Sequence, residues 1–351
     1  MTANLVRLAG ATIAFVAVAV AGIVLLNFGG DTVAQSASWV YLTLAAFIVA
    51  FVVYAAIEYS QTRRFTSITS QFDTRTLVLM PIAIAFNIIL GQAVGAALKI
   101  PVYLDSIGTI LVGAVAGPIP GALTGLLSNV LWSYAVPPPF HSDISGAFAV
   151  VAVVIGLLAG LFSRIGWLRP RPHSDMPTLL IGGGIALAII GVMVWYTYSR
   201  FYGDAGVTIF NPANTDPLFV VLGWAIVVLA VAAVVGFFYL LIRRRDLTVA
   251  YVVVAGVVTG IIAALISAPI SANLFSGVTG AGTDFLVAAF RQAGSDIQTA
   301  TFQQGLLSDP VDKLITFLTV YIILGAMAVR TKARFPQGER LVNTGTGEAS
   351  A

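Results

Sequence analysis

Amide, hydroxyl and aromatic side chains interrupt the apolar stretches of this chain, and together they could bind a small polar solute. Asn87 lies in the middle of one stretch, and Gln92 follows about one helical turn later. In another stretch, Trp132 lies between Asn129 and Ser133. Polar groups are costly inside lipid and usually face the interior of a helix bundle. There, amides and hydroxyls orient a ligand by hydrogen bonds, and an aromatic ring stacks on it.

More polar residues mark the ends of neighbouring apolar stretches. They are Tyr103, Asp105, Ser267, Ser271, Asn273, Asp309, Asp312 and Lys313. In the topology derived below, these groups lie at or beyond the membrane midplane on the outer side. Their distribution predicts a cavity that opens outward.

Several of these residues also have a purely structural interpretation. Asn87 could hydrogen-bond between helices, and Asp105 could cap the N-terminus of a helix. Trp132 could belong to the aromatic belt at the membrane surface. For Asp312 and Lys313, a local ion pair at the membrane surface is favoured over a binding site.

Other kinds of chemistry lack the residues that they need. The chain has no cysteine, and its lysines are Lys99, Lys313 and Lys332, none of which follows the glycine pattern of an ATP-binding loop. His141 and His173 fall on opposite sides of the membrane in the predicted topology and cannot share a metal ion. No nucleophile and base are paired in the sequence, so we expect neither an enzyme, a resident cofactor nor a metal site.

The elements that position these residues are membrane-spanning helices. The chain is 58% hydrophobic and 9% charged, whereas a soluble domain has about 25% charged residues. A span needs about 20 apolar residues. The predicted spans are 8–28, 38–58, 77–98, 102–117, 119–136, 144–164, 178–198, 217–242, 249–270 and 312–330. The first exceeds the 7–15 residues typical of a signal-peptide core, which favours a retained span.

Basic residues set the predicted orientation. With both termini in the cytoplasm, all of the 18 Lys and Arg residues face inward except Lys99, Arg200, Arg291 and Lys313. This asymmetry follows the positive-inside rule. The net charge of +3 belongs to scattered inner loops and forms no basic face, so we expect no nucleic-acid partner.

Small residues recur every four positions in the third span. One row holds Ala83, Asn87, Gly91 and Gly95, and Ala93 and Ala97 form a second. Such rows let helix backbones approach closely in lipid. They predict either packing within this chain or docking of a partner membrane subunit.

Three strings resemble a known transporter family. They are ALKIPVYLDSIGTILVGAVAGPIPGALTGLLSNVLW (97–132), SAPISANLFSGVTGAGTDFLVAAF (267–290) and GLLSDPVDKLITFL (305–318). They are similar to the substrate-binding S component of energy-coupling factor transporters. The resemblance covers 77–166 and 249–335, about half of the chain, and these blocks hold six predicted spans.

The resemblance implies an all-α, polytopic membrane helix bundle of about ten transmembrane helices with a six-helix S-component-like core. An S component captures a vitamin or related micronutrient at the outer face of a prokaryotic plasma membrane. It then docks on a membrane coupling subunit and two cytoplasmic ATPases, so that ATP is bound by the partners. The other interpretation is a ligand-binding membrane sensor or scaffold without transport activity.

The resemblance also implies the location of the site and of the domains. By position, the binding sites of the family correspond to four regions of this chain: the 99–106 loop, the Asn129–Ser133 region, Asn273 and the 277–284 loop with Asp284. The docking row of the family corresponds to one of the two small-residue rows. The domains are an extra hairpin at 1–76, core at 77–166, an inserted hairpin at 167–248, core at 249–335 and a disordered tail at 336–351. Between the last two spans, 283–293 and 297–307 read as short helices at the outer surface.

Overall fold

The computed structural model describes residues 2–25, 32–97, 102–171, 174–201, 228, 231–232, 234–237, 239–243 and 245–342. Within these ranges the chain forms helices and no strand. The α-helices are α1 (Thr2–Leu25), α2 (Thr32–Thr62), α3 (Thr66–Thr69), α4 (Thr74–Leu90), α5 (Ile107–Ala116), α6 (Pro118–Tyr134), α7 (Ala149–Arg164), α8 (Met176–Phe201), α9 (Thr248–Phe275), α10 (Asp284–Gln292), α11 (Ile297–Ala326) and α12 (Val329–Ala333). A π-helical turn, Gly91–Ala97, extends α4, and a 3₁₀ turn, Ser145–Phe148, precedes α7.

The predicted all-helical class is confirmed, and the apolar helices fit a membrane bundle. Six stretches of the described chain are long and apolar enough to cross a membrane: Val6–Leu25, Ala37–Thr62, Thr74–Gly95, Ser145–Arg164, Met176–Tyr196 and Thr248–Phe275. The short fourth span is also present, as the ten-residue α5. Most of the predicted span 217–242 lies outside the described residues, so the number of about ten spans stays a prediction.

Close backbone approach joins α5, α6 and α7. A Cβ atom on Gly156 of α7 would overlap the backbone of Gly121 in α6, and one on Gly113 of α5 would lie 2.9 Å from the carbonyl oxygen of Gly156. Between α5 and α6 the chain reverses at Gly117, whose φ of +133° is strained for any residue with a side chain. This turn lies in the string GPIPG at 117–121, where proline cannot continue the preceding helix and glycine allows the reversal.

The helix pair α9–α11 packs in the same way. A Cβ atom on Gly256 would lie 2.7 Å from the Cα atom of Leu314, and one on Gly260 would overlap Pro310. Small residues allow such contact because helices in lipid attract one another mainly through close packing. This pair forms the second half of the core.

Helix α11 corrects the sequence expectation of a short surface helix at 297–307 followed by a span at 312–330. The structure has one continuous helix of 30 residues, with Pro310 inside it. A proline removes one hydrogen bond and normally kinks or ends a helix. The helix continues here because the polar residues around Pro310, which suggested a surface boundary, find partners inside the bundle.

The end of the chain also departs from the expectation. Residues 336–342, expected to be disordered, pack on the bundle: the backbone N–H of Gln337 donates to the carbonyl of Val115 at 2.8 Å. Leu341 is buried, and Arg340 donates to the carbonyl of Arg164 at 2.7 Å. The sequence is polar there, but the Gln337 backbone and the Arg340 side chain satisfy carbonyls that the ends of α5 and α7 leave open. The rest of the predicted tail lies outside the described residues.

Five of the predicted inner arginines lie at one end of the bundle, which we call the basic end: Arg63, Arg64, Arg75, Arg164 and Arg334. A hydrogen bond of 3.2 Å from Arg75 to the carbonyl of Arg334 connects two of the segments that meet there. At this end Arg7 of α1 lies 3.4 Å from the fully buried carboxylate of Glu58 in α2. The domain boundaries stay a prediction, although α8, from the predicted inserted hairpin, packs directly on α9.

Candidate functional site

A cavity of about 460 Å³ opens at the end of the bundle opposite the basic end. Its walls come from the end of α4, the segment before α5, helices α6, α7, α9 and α11, and the loops 135–145 and 276–283. Both halves of the helical core therefore contribute to one site. We refer to it as the cavity.

Aromatic and apolar side chains form one side of the cavity. Trp132, Phe148 and Tyr103 line it, together with Val151 and Ile155 of α7. The indole N–H of Trp132 donates to the carbonyl of Phe140 at 2.7 Å, which fixes the ring. Such a surface suits the apolar body of a small molecule.

The fixed position of Trp132 also depends on a small neighbour. A Cβ atom on Gly91 would lie 2.5 Å from the six-membered ring of Trp132. Gly91 therefore has to remain without a side chain for the indole to lie where it does.

Charged side chains form the other side. Lys313 donates to Oδ2 of Asp312 at 2.5 Å and to the hydroxyl of Ser106 at 2.8 Å. Its ammonium lies 3.7 Å from Asp105. Asp309 accepts from Ser267 at 3.1 Å and from Ser308 at 3.3 Å. Asp105, Asp309 and Lys313 line the cavity.

Asp312 organises this wall without lining the cavity. Its side chain is fully buried and accepts the backbone N–H groups of Tyr103 and Leu104 at 3.0 and 2.9 Å. Leu104 has a positive φ of 52°, an uncommon conformation that these two hydrogen bonds help to hold. Asp312 thus fixes the segment that presents Tyr103 and Asp105 to the cavity.

A polar network connects α6 to the loop that follows it. Asn129 donates to the carbonyl of Gly125 at 3.2 Å and accepts from Ser145 at 2.8 Å. Ser133 accepts from the backbone of Gly146 at 2.7 Å and donates to the carbonyl of Ser142 at 2.7 Å. Asn129 and Ser145 line the cavity, whereas Ser133 supports the loop from behind.

The loop 276–283 is held by Asp284, which lies just outside the lining. Its carboxylate accepts from the backbone of Thr279 at 2.9 Å and of Gly280 at 2.6 Å, and from the Thr279 hydroxyl at 2.6 Å. The loop also donates from Gly282 to the carbonyl of Gly95 at 3.2 Å. Asp284 acts here by positioning the loop.

The structure brings five of the nine predicted solute-binding residues together in the lining: Gln92, Tyr103, Asp105, Asn129 and Trp132. The other four lie outside it. Ser133 and Asp284 support lining loops, as described above. Asn273 is exposed and accepts from Gln298 at 2.6 Å.

Asn87 is the fourth residue outside the lining, and its contacts match the structural interpretation. It donates to Thr109 at 2.9 Å and to Ser128 at 3.0 Å, and accepts from the backbone of Gly108 at 2.7 Å. This buried amide joins α4 to α5 and α6.

The two predicted docking rows face different surroundings. Ala83 is buried, and its carbonyl lies against Gly108 of α5. Gly91 and Gly95 line the cavity, so the first row packs within this chain. Ala93 and Ala97 are exposed, which leaves the second row open to a partner. Docking itself stays a prediction.

On α11, Gln304 is a lining residue that the sequence analysis did not select, whereas Asp309 and Lys313 belong to the polar residues whose distribution predicted the cavity. Gln304, Asp309 and Lys313 line the cavity together with Ser267 and Ser271 of α9. Ser106 and Thr279 lie in the 99–106 and 277–284 loops that the resemblance implied, and the further lining residues not selected are His141, Ser142, Asp143, Ser145 and Phe148. A usable signal was present, because Gln304, Ser308 and Asp312 recur every four positions and mark one polar face of a single long helix. In the part of the chain that the structure describes, no three His, Asp or Glu side chains are grouped as metal ligands.

Comparisons of the chain with protein-family models, with curated proteins and with solved structures find no match.

Proposed function

We propose that this protein captures a small polar solute in the cavity, as the substrate-binding subunit of an ATP-driven micronutrient uptake transporter. The observation that carries the proposal is the cavity itself, because it combines an aromatic wall with buried charged and amide groups at one end of an apolar helix bundle. Ligand sites typically have this combination of apolar surface and a few convergent polar groups.

The position of the cavity supports uptake from outside. The basic end lies opposite the cavity, and basic loops favour the cytoplasmic side. The cavity would then open to the exterior. The resemblance of 77–166 and 249–335 to S components adds a coupling subunit and two ATPases as partners, in a prokaryotic plasma membrane.

Ligand retention tests the capture step. We expect protein purified in a mild detergent to retain a small molecule that mass spectrometry identifies after denaturation. Trp132→Ala should abolish retention, whereas Asn273→Ala, which changes an exposed residue outside the lining, should leave it intact. Recovery of no ligand from the unmodified protein, purified from cells grown in rich medium, would count against capture.

The dependence of solute uptake on partner subunits distinguishes a transport protein from a sensor. For a transport subunit, we expect co-purification with a membrane coupling subunit and ATPases, and uptake of the identified solute that stops when the ATPase is deleted. A sensor or scaffold would bind the same solute without accumulating it in cells. Binding without uptake would therefore favour the second interpretation.

A further inference from the structure

The charged wall of the cavity carries more negative than positive groups. The wall holds three carboxylates, those of Asp105, Asp309 and Asp312, and one cation, Lys313, which lies within ion-pair distance of Asp105 and Asp312. At the mouth, His141 lies 2.8 Å from Asp143 and pairs with it when protonated. Among the described residues that line the cavity, no other cation is present.

Lys313 is engaged by side chains of its own chain, through two hydrogen bonds and an ion pair. An ammonium group has three donors. One goes to Asp312 and one to Ser106, and the third points into the region of Asp105 at 3.7 Å. A carboxylate or phosphate on the solute would have to displace one of these partners.

Asp309, in contrast, has no cationic partner within ion-pair distance among the residues that the structure describes. It is 6% exposed, and its oxygens accept from two serine hydroxyls, those of Ser267 and Ser308. A carboxylate in such surroundings is costly unless a cation or strong donors compensate it.

Two further buried groups in the lining have unused hydrogen-bonding capacity. Ser271 is 7% exposed, and its hydroxyl has no hydrogen-bond partner among the described residues. Gln304 is 6% exposed and donates its amide N–H to Ser308 at 2.6 Å, while its side-chain carbonyl accepts no hydrogen bond from the described chain. Buried polar groups are normally paired. The Gln304 carbonyl can accept from an N–H donor on a ligand, and the Ser271 hydroxyl can either donate or accept, so both groups are compatible with a ligand that carries N–H donors.

The aromatic wall of the cavity also favours a cationic, planar solute. Trp132, Tyr103 and Phe148 line the same cavity. Aromatic faces attract cations as well as apolar groups, most strongly where water is excluded. A solute that is cationic at one end and planar at the other satisfies both walls.

We infer that the cavity selects an organic cation, with a protonated amine or amidine directed at Asp105 and Asp309 and a planar apolar body on the Trp132 side. The inference rests on the proposed function and names the class of solute. An anionic solute is disfavoured because it would meet two carboxylates and no free cation. A neutral solute of the same shape gains the aromatic contacts but leaves Asp309 without a compensating charge.

Three probes of nearly equal shape test the charge preference: benzamidinium, benzamide and benzoate. Binding is measured by isothermal titration calorimetry on the full chain in detergent, with empty micelles as the blank. We expect benzamidinium to bind at least about tenfold more tightly than benzamide, and benzoate to show no binding. Truncating one partner of a buried charge pair typically weakens binding by at least that factor.

Matched substitutions assign the preference to the two carboxylates. Asp309→Asn and Asp105→Asn should each reduce the benzamidinium preference at least tenfold while leaving benzamide binding similar. Asp175→Asn, at the start of α8 and outside the cavity, is the control and should leave all three affinities unchanged. If Asp309→Asn fails to fold, Asp105→Asn still decides, because Asp105 is partly exposed and not embedded in a helix.

The outcomes separate the solute class from the proposed function. Benzoate binding as tightly as benzamidinium, or Asn variants that keep the preference, would overturn the inference. A co-purified ligand that is anionic would also overturn it and leave solute capture standing. Absence of both a retained ligand and any probe binding would count against capture and selectivity together.

Discussion

The buried amide of Asn87 serves the packing of three helices, and its loss should reduce stability. Asn87→Ala leaves the backbone N–H of Gly108 without its acceptor and Thr109 and Ser128 without a shared donor. The Gly108 N–H belongs to the first turn of α5, where no intrahelical acceptor exists. Each buried group left unpaired costs about 1–3 kcal/mol. We expect a lower midpoint of thermal unfolding in detergent and an unchanged ligand affinity for the folded fraction.

The comparison variant for Asn87 is Asn273→Ala, which removes an exposed amide hydrogen-bonded to Gln298. It should leave the unfolding midpoint within experimental error. If Asn87→Ala instead kept the midpoint and lost ligand affinity, Asn87 would belong to the site after all.

Trp132 contributes an aromatic face, and its replacements should rank by ring area. Trp132→Phe keeps a ring on the cavity wall and loses the hydrogen bond to Phe140, whereas Trp132→Ala loses both. Aromatic contacts contribute about 0.5–1.5 kcal/mol beyond the area that they bury. We expect benzamidinium affinity to fall severalfold for Phe and at least tenfold for Ala. Equal affinities for all three proteins would remove Trp132 from the site.

Part of the site was predictable, because polar and aromatic residues stand out within apolar helices. Gln92, Asn129 and Trp132 interrupt apolar helices, and that alone suggested them. Asp309 was visible but was assigned to a helix end, because a carboxylate in the interior of an apolar helix is costly. Its partner Ser267 lies 42 positions away, and a single sequence does not disclose such a pairing.

At the scale of elements, the close packing of α9 on α11 holds the charged side chains of the cavity in place. Gly260 approaches the backbone of α11 at Pro310, next to Asp309, and a Cβ atom there would lie 2.6 Å from the carbonyl oxygen of Asp309. Since backbone cannot move aside cheaply, Gly260→Ala should separate the two helices locally. Overpacking of this kind costs about 1–3 kcal/mol. We expect a lower unfolding midpoint and weaker benzamidinium binding.

Gly184→Ala in α8 is the matched control, since a Cβ atom there meets no other atom within 4 Å. Alanine has the higher helix propensity, so this variant should be neutral or slightly more stable. A Gly260→Ala protein as stable as Gly184→Ala would show that the contact tolerates a methyl group, contrary to the geometry.

The presence of the helices could be predicted from composition, whereas the continuity of α11 could not. The spans 119–136 and 144–164 agree closely with α6 (Pro118–Tyr134) and with Ser145–Arg164, because apolar length determines them. The break expected between 297–307 and 312–330 followed from Asp309, Asp312 and Lys313, which mark the predicted start of the last span. Those groups are paired with α9 and with the segment before α5, a tertiary effect that overrides the local signal.

At the scale of the whole molecule, the two ends of the bundle differ: one end carries the arginines, and the other carries the cavity. Arginines, the Arg7–Glu58 pair and the packed segment 336–342 occupy the basic end. The loops that line the cavity occupy the other. If the proposed function holds, the solute would enter from the side opposite to the one that the positive-inside rule assigns to the cytoplasm.

Sidedness can be measured directly, because the chain has no cysteine of its own. Phe140→Cys places a thiol on an exposed position of the loop at the cavity end, and Ser70→Cys places one on an exposed turn at the basic end. In intact cells, a membrane-impermeant maleimide should label the first and not the second, while both should react after permeabilisation. The expected physical cause is the cost of moving several arginines across the bilayer, which fixes the basic end inside. Labelling of Ser70→Cys alone in intact cells would invert the molecule, and the cavity would then face the cytoplasm, where it could release or sense a solute but could not capture one from outside.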